Sequence, residues 1–195
     1  MGSKSQRERM EAGELYNAND PELHRLTENA RLICGEFNEH YAENSMAAQT
    51  IVGELLGGFG ADSHIRAPLC VDYGINIFVG ERTFINFNLT ALDVARIEIG
   101  NDCQIGPNVQ LLTPTHPLDP QLRLQKLEAG EPIVLEDNVW LGGGVIVCPG
   151  VRIGENSVIG AGAVVLHDVP PNSVAVGNPA RVIKRTDGTV PEELD

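Results

Sequence analysis

The chain has 195 residues, of which 42% are hydrophobic and 5% aromatic, and it carries a formal charge of −13. That length allows one domain, or one domain with a substantial appendage. The charge argues against nucleic acid or an anionic membrane surface as partner, since an acidic surface is repelled by both.

The four cysteines, Cys34, Cys70, Cys103 and Cys148, are scattered and form no C-x-x-C pair. With no leader-like segment at the start, they read as reduced thiols, which points to a cytoplasmic address. No apolar run approaches the roughly 18 residues that a membrane span requires.

In chain order, Ser5 to Tyr16 is expected to form a short polar helix. Asp20-Pro21 marks a second helix start, because Asp20 can cap the orphan amides and Pro21 suits the first helical position. From there Leu23, Leu26, Ala30, Ile33 and Phe37 recur at spacings of three and four, one apolar stripe through about Tyr41. Asn44 or Ser45 is the expected cap of a third helix carrying Met46, Ile51, Leu55 and Leu56, which Gly57-Gly58 stops. These stripes need a surface to cover, and the end of a stack of strands supplies one. Ala61 to Tyr73 reads as irregular.

The pattern then changes period. VGERTF from Val79 and INFNLT from Ile85 are blocks of six, followed after a break by IGNDCQ from Ile99 and IGPNVQ from Ile105. The break between Thr90 and Ile99 is expected to remain coil with an insertion at a corner. From Leu135 to Pro170 the hexads are clean: LEDNVW, LGGGVI, VCPGVR, IGENSV, IGAGAV, VLHDVP. Each opens with an aliphatic residue, and the fifth position holds Val139, Val145, Val151, Ser157, Ala163 or Val169. A helix cannot use this spacing, because six residues advance about 600° at roughly 100° each and scatter the openers around it. A coil with three short sides can: six residues per side and eighteen per turn point every opener into one axial core, with Gly and Asn at the corners. Fixed-period hexads of this kind mean a parallel β-helix.

Between Leu112 and Ile133 the period fails over TPTHPLDPQLRLQKLEAGEP, where four prolines forbid a regular side. An insertion of that length in a compact repeat is a functional candidate. It carries His116, flanked by Pro114 and Pro117. Histidine titrates near neutral pH and suits a general base. After Pro171 the chain leaves the coil through NSVAVGNPARVIKRT, where Arg181, Lys184 and Arg185 form the densest positive patch of the C-terminal half, and ends in an acidic tail.

The hexads together with GELY (Gly13 to Tyr16), DYGINIFVG (Asp72 to Gly80), NFNLT (Asn86 to Thr90), THP (Thr115 to Pro117), NVWLGG (Asn138 to Gly143) and GNPARVIK (Gly177 to Lys184) resemble the maltose and galactoside O-acetyltransferases, a CoA-dependent sugar acetyltransferase family that also includes nodulation acetyltransferases. The resemblance runs from about Gln6 to Lys184. It implies a mainly β protein: a left-handed parallel β-helix over residues 61–186 with a loop extruded at 112–132, a helical N-terminal module over 1–60, and a flexible tail over 187–195. It implies a homotrimer with active sites between neighbouring β-helices.

The resemblance also assigns residues. His116 is the general base and Asn86 lies near the acetyl group and acceptor. Asp72, Asn86, Asp93 and Glu128 fall at or beside acceptor-binding positions. Trp140, exposed between two subunits, is placed to pack on the pantetheine arm or the substrate, or to serve the trimer interface, and the Gly143 amide to stabilise the oxyanion. Ala161, Leu166 and His167 match positions contacting CoA mainly through backbone, although the family tends to have lysine at His167. Arg181 and Lys184 match the basic pair for the CoA phosphates. Two acceptor-binding aspartates of the family fall here at Val94 and Ala18, a departure that bears on the acceptor.

The reaction so implied is transfer of acetyl from acetyl-CoA to a sugar hydroxyl, maltose-, glucose- or galactoside-like, by direct attack and without a metal. Two other classes share the coil. A γ-type carbonic anhydrase needs three histidines around zinc, and only His116 has a suitable setting. A non-catalytic trimeric scaffold leaves His116, Asn86 and Trp140 together unexplained.

Overall fold

The computed structural model describes residues 4–190. It opens with helix α1 (Gln6–Glu11), capped by Ser5 and Glu8 in a reciprocal capping box. This helix is shorter than the expected Ser5 to Tyr16 segment. Gly13 turns the chain in a left-handed conformation (φ 68°), and Tyr16 lies in strand β1 (Tyr16–Asn17). Helix α2 (Pro21–Glu43) starts at Asp20, whose carboxylate accepts from the Glu22 and Leu23 amides. Helix α3 (Ser45–Leu55) is capped by Asn44. Ala30, Phe37, Ala48, Val52 and Leu55 are buried against the first coil, while Met46, expected in the stripe, points to solvent.

The coils begin earlier than the hexads suggest. The first comprises β2 (Gly58–Phe59), β3 (His64–Ile65) and β4 (Leu69–Val71), so Ala61 to Tyr73 is ordered coil rather than irregular chain. The second is β5 (Ile77–Val79), β6 (Phe84–Ile85) and β7 (Leu89–Leu92); the third is β8 (Ile97–Ile99), β9 (Gln104–Ile105) and β10 (Gln110–Leu112). The loop holds β11 (Pro114–Thr115), helix α4 (Pro120–Leu124) and β12 (Leu127–Gly130). The fourth coil is β13 (Ile133–Leu135), β14 (Trp140–Leu141) and β15 (Ile146–Val147). The fifth is β16 (Arg152–Ile153), β17 (Val158–Ile159) and β18 (Val164–Val165). Strand β19 (Ser173–Val176) extends one face, and β20 (Arg181–Arg185) folds back on it antiparallel.

Three parallel faces result: β2-β5-β8-β13-β16, then β3-β6-β9-β14-β17-β19, then β4-β7-β10-β15-β18. All six openers from Leu135 to Val165 are buried, as are the fifth-position residues between them. Aliphatic side chains from every coil therefore share one axial core, whose burial is the main stabilising term. At the first corner Asp62, Arg82, Asp102, Asn138, Asn156 and Asn172 all have φ between 55° and 60°. The Asn138, Asn156 and Asn172 amides stack in a ladder of hydrogen bonds of 2.9 and 3.0 Å. Asn and Asp tolerate this left-handed backbone better than other side chains do.

The turn length is not uniform. Leu135 pairs with Ile153, eighteen residues on, but Ile77 pairs with Ile97 and Ile65 with Ile85, twenty residues on. The two surplus residues fall each time at the third corner, between Val71 and Ile77 and between Ala91 and Ile97. The twenty-residue loop leaves the third coil at that same corner. The expected insertion between Thr90 and Ile99 is thus one member of a vertical series.

The expected tail over 187–195 is described to Val190, with a turn at Asp187 to Thr189; residues 191–195 lie outside the described residues.

Candidate active site

The widened third corner is built around Asp93. Its Oδ1 accepts from the backbone amides of Asp72 (3.1 Å) and Tyr73 (2.8 Å), and its Oδ2 from that of Asn76 (3.1 Å). The side chain is fully buried. Burial raises its pKa, and the amides that point at it oppose the rise. Asp93, expected among the acceptor ligands, is therefore a structural group whose oxygens are committed to the corner. One coil further on, Thr113 repeats the device: its hydroxyl donates to the Leu92 carbonyl (2.7 Å) and accepts the Ala95 amide (2.9 Å).

Outside this corner the loop returns as a three-stranded antiparallel ribbon, β1-β12-β11, which pairs Tyr16 with Glu128 and Thr115 with Ala129. The ribbon joins the N-terminal segment to the loop. Tyr16, fully buried, donates from its hydroxyl to Glu128 Oε1 at 3.0 Å. Burial first, and then the Glu128 charge, push the Tyr16 phenol well above its ordinary pKa, so it remains a donor. The other Glu128 oxygen lies 3.9 Å from His116 Nε2. This is too long for a hydrogen bond. His116 is well exposed, and Glu128 nearly enclosed.

Asn17, Ala18, Asn19, His116, Lys126 and Glu128 line an open cavity of about 460 Å³. Arg123 secures the loop beside it by donating to the Pro117 and Leu118 carbonyls. Asp72, half-buried at the same corner, has its pKa pushed up to about 6 by burial ahead of repulsion from Asp93 and Glu128. Val94, at one departure from the family pattern, is buried with Met10, Tyr16, Leu23 and Tyr73, and Ala18 packs against that cluster.

The remaining candidates lie elsewhere. Asn86, Gly143 and Ala161 belong to the second corner, where the chain passes from β6 to β7, β14 to β15 and β17 to β18. The Asn86 side-chain oxygen accepts the Phe87 amide at 2.9 Å, and its NH2 has no hydrogen-bond partner among the described residues. Among the described residues, neither the Gly143 nor the Ala161 amide has an intramolecular acceptor. Gly142 is required there, since a Cβ would lie 2.6 Å from the Ala161 nitrogen. Trp140 projects from β14 on the adjoining face, about half exposed. Val176 pairs with Arg181 and Val174 with Lys184, so β20 continues this line with two exposed cations. Three inter-strand steps of roughly 4.8 Å separate Gly143 from Arg181, about 14 Å. Leu166 and His167 do not join it. They sit at the third corner of the fifth coil, around a cavity shared with Glu131 and Gly150.

Sequence reasoning from the residues did not find Tyr16 as a partner of Glu128. The two are far apart in the chain, and only the ribbon pairing brings them together. Among the described residues, no group of three or more His, Cys, Asp or Glu is placed to hold a metal ion, and no helix is long and apolar enough to cross a membrane.

A parallel β-helix of hexapeptide turns, with a histidine-bearing loop and a helical end, is the architecture of the hexapeptide-repeat acyltransferases. Residues 132–167 match the bacterial transferase hexapeptide model over six repeats, and residues 9–60 match the maltose acetyltransferase hexapeptide capping motif. The galactoside O-acetyltransferase of Escherichia coli is 37% identical over 177 residues, covering 91% of this chain and 87% of its own. A maltose O-acetyltransferase from Clostridium difficile superposes with a TM-score of 0.92 at 44% identity, covering 94% of this chain and 98% of that one. A hexapeptide-repeat acetyltransferase from Vibrio cholerae, complexed with acetyl coenzyme A, gives 0.86 at 36%, covering 93% and 98%. The chain belongs to the maltose and galactoside O-acetyltransferase family, and is an acetyl-CoA-dependent acetyltransferase of it.

Proposed function

We propose that the enzyme moves the acetyl group of acetyl-CoA to a hydroxyl of a sugar by direct attack, with His116 as general base. The observation that carries this reading is the chain of contacts from buried Tyr16 through Glu128 to the exposed His116 imidazole, opening on a cavity that Asn17, Asn19 and Lys126 also line. Glu128, fixed by the phenol, orients the ring and stabilises the imidazolium that forms.

The sugar oxygen attacks the thioester carbonyl carbon as its proton passes to His116 Nε2. The new C–O bond gives a tetrahedral oxyanion, towards which the free Gly143 amide is directed. Collapse breaks the C–S bond, and the leaving thiolate takes the proton back from His116. No covalent acetyl-enzyme is required.

In one chain the base lies at the third corner, while Asn86, Gly143, Ala161 and the Arg181–Lys184 cations follow the second. We propose a homotrimer in which the third corner of one copy meets the second corner of the next, an arrangement that would join both sets in one site. The same arrangement would bring Leu166 and His167 to the CoA line, so the division of residues within a chain favours sites shared between subunits. Asp72, beside the cavity, serves the acceptor. Arg181 and Lys184 face the CoA phosphates, lysine as a point charge rather than a fork. The free cysteines support a reducing, cytoplasmic setting.

The test is an acetyl-CoA turnover screen against maltose, glucose and galactosides with H116A as control. The expected result is turnover with at least one sugar, lowered about 10²- to 10⁴-fold in H116A. Wild-type rates in H116A would remove His116 from the mechanism.

A further inference from the structure

The second corner carries one more side chain whose role the reaction above leaves open. Arg66 stands next to Asn86 in the stack: Ile65 pairs with Ile85, and the Arg66 amide donates to the Ile85 carbonyl at 2.9 Å. Its guanidinium does not extend freely into solvent. The carbon at its centre lies 5.1 Å from the Phe84 ring centroid and 4.8 Å from that of Phe87, so two aromatic rings flanking Asn86 hold it over the second coil.

Other arginines of the coils have anionic partners. Arg82 pairs with Asp102 and Glu81, Arg96 with Glu98, and Arg152 with Glu136. Arg66 has no carboxylate in ion-pair reach and no acceptor for its five N–H groups among the described residues. Its neighbour His64 carries no negative charge to offer it, and lies 3.0 Å from the Tyr41 hydroxyl. On a chain of charge −13, a positioned guanidinium with open donors invites an oxygen-bearing ligand. The donor line, from Gly143 to Arg181, runs from Asn86 toward the C-terminus. Arg66 lies one coil beyond Asn86 in the opposite direction, on the acceptor side.

We infer that Arg66 is an acceptor-specificity residue, its aromatic-clamped guanidinium donating two parallel hydrogen bonds to a pair of adjacent hydroxyls on the acceptor sugar. This rests on the sugar-acceptor reading above. A neutral polyol fits better than an anionic sugar, because Asp72 and Glu128 would face an acceptor from the His116 side.

The test uses the full-length assembled enzyme, R66M to keep the packing volume and R66K to keep the charge without the fork, with a sugar that the wild type acetylates. Both variants are expected to keep the oligomeric state and the acetyl-CoA KM. R66M raises the acceptor KM roughly tenfold or more, and R66K raises it by less. Single-deoxy acceptors are the decisive arm: loss of either paired hydroxyl weakens the wild type but costs R66M nothing further. An unmoved acceptor KM in R66M, equal sensitivity to the deoxy sugars, or dissociation of the oligomer would each overturn the assignment. Absence of sugar turnover in the wild type overturns the acceptor reading itself. Turnover with an unmoved R66M overturns only the role of Arg66.

Discussion

Replacing Asp93 with alanine is expected to unfasten the widened corner and destabilise the protein well beyond a typical surface change. Three backbone amides lose their acceptor. That of Tyr73 is enclosed, and those of Asp72 and Asn76 are half-buried. A buried donor left unpaired costs about 1–3 kcal/mol. Water can reach the two outer amides, which puts them at the low end, while the inner one sits nearer the middle. The sum is about 4 kcal/mol, from which relief of the buried carboxylate subtracts about 1 kcal/mol. The net loss of about 3 kcal/mol corresponds to a fall in Tm of about 6–12 °C for a chain of this size. D93N separates geometry from charge. Its oxygen can still accept from Asp72 and Tyr73, but its NH2 would meet the Asn76 amide donor to donor, so an intermediate fall is expected. Differential scanning calorimetry at fixed protein concentration reads both. If D93A melts within about 1 °C of wild type, the carboxylate is not what holds the corner, and the reasoning fails.

Other consequences follow from the same neighbourhood. Asp72, raised to about 6 by burial, holds a proton in the folded state between about pH 4 and pH 6 that the unfolded chain has released. Stability therefore falls as pH rises through that window, by up to about 3 kcal/mol at 1.36 kcal/mol per unit; urea midpoints of D72N against wild type at pH 4 and pH 7 should converge at the acid end, with the mutant relatively more stable at pH 7. Y16F removes a phenol donor from Glu128 Oε1 and should cost about 1.5–3 kcal/mol together with a fall in kcat, whereas a change in Tm alone would make the contact purely structural. At the second corner, G142A forces a Cβ against the Ala161 nitrogen and should lower both Tm and acetyl-CoA affinity. Gly144 (φ 70°) has nothing within 4 Å of an added Cβ, so G144N should be tolerated, as Asn88 and Asn108 are in the same column, and G144V should cost about 1–2 kcal/mol. Thermal melts of this pair that coincide would refute the backbone argument.

The hexad core was legible because its signal is local: each opener points inward at a fixed spacing, and every predicted opener from Leu135 to Val165 is buried. Asp20 and Asn44 were legible for the same reason, since caps act within three residues. The first coil was not, because Ala61 to Tyr73 has only Ile65, Leu69 and Val71 in phase and a corner swollen by two residues. The end of α1 was misplaced because Gly13 terminates it where the polar composition gave no contrast. At the site, Asp93 has the right residue type for a ligand but the wrong surroundings. Its three amide partners lie 17 to 21 residues away in the chain, a distance over which no periodicity speaks. Trp140 was readable as outward-facing from its place before an opener, and it is exposed.

The three departures from the six-residue period share one corner, and that coincidence explains how a repetitive scaffold makes a non-repetitive site. A surplus residue on a side would flip every later side chain between core and solvent. At a corner the surplus is absorbed before the next strand begins, so the core register survives. Stacking two short surpluses under a long one then gives the loop a prepared base: Asp93 fastens the corner of the first, and Thr113 ties the start of the loop to the second. The loop therefore departs from a stiffened corner, which limits how far His116 can wander from Glu128. Shortening the second of these surpluses, between Ala91 and Ile97, to the eighteen-residue pattern would leave the hexad core paired while removing Asp93, and so should impair catalysis more than folding. That ordering is opposite to the one expected if the surplus residues were a tolerated irregularity.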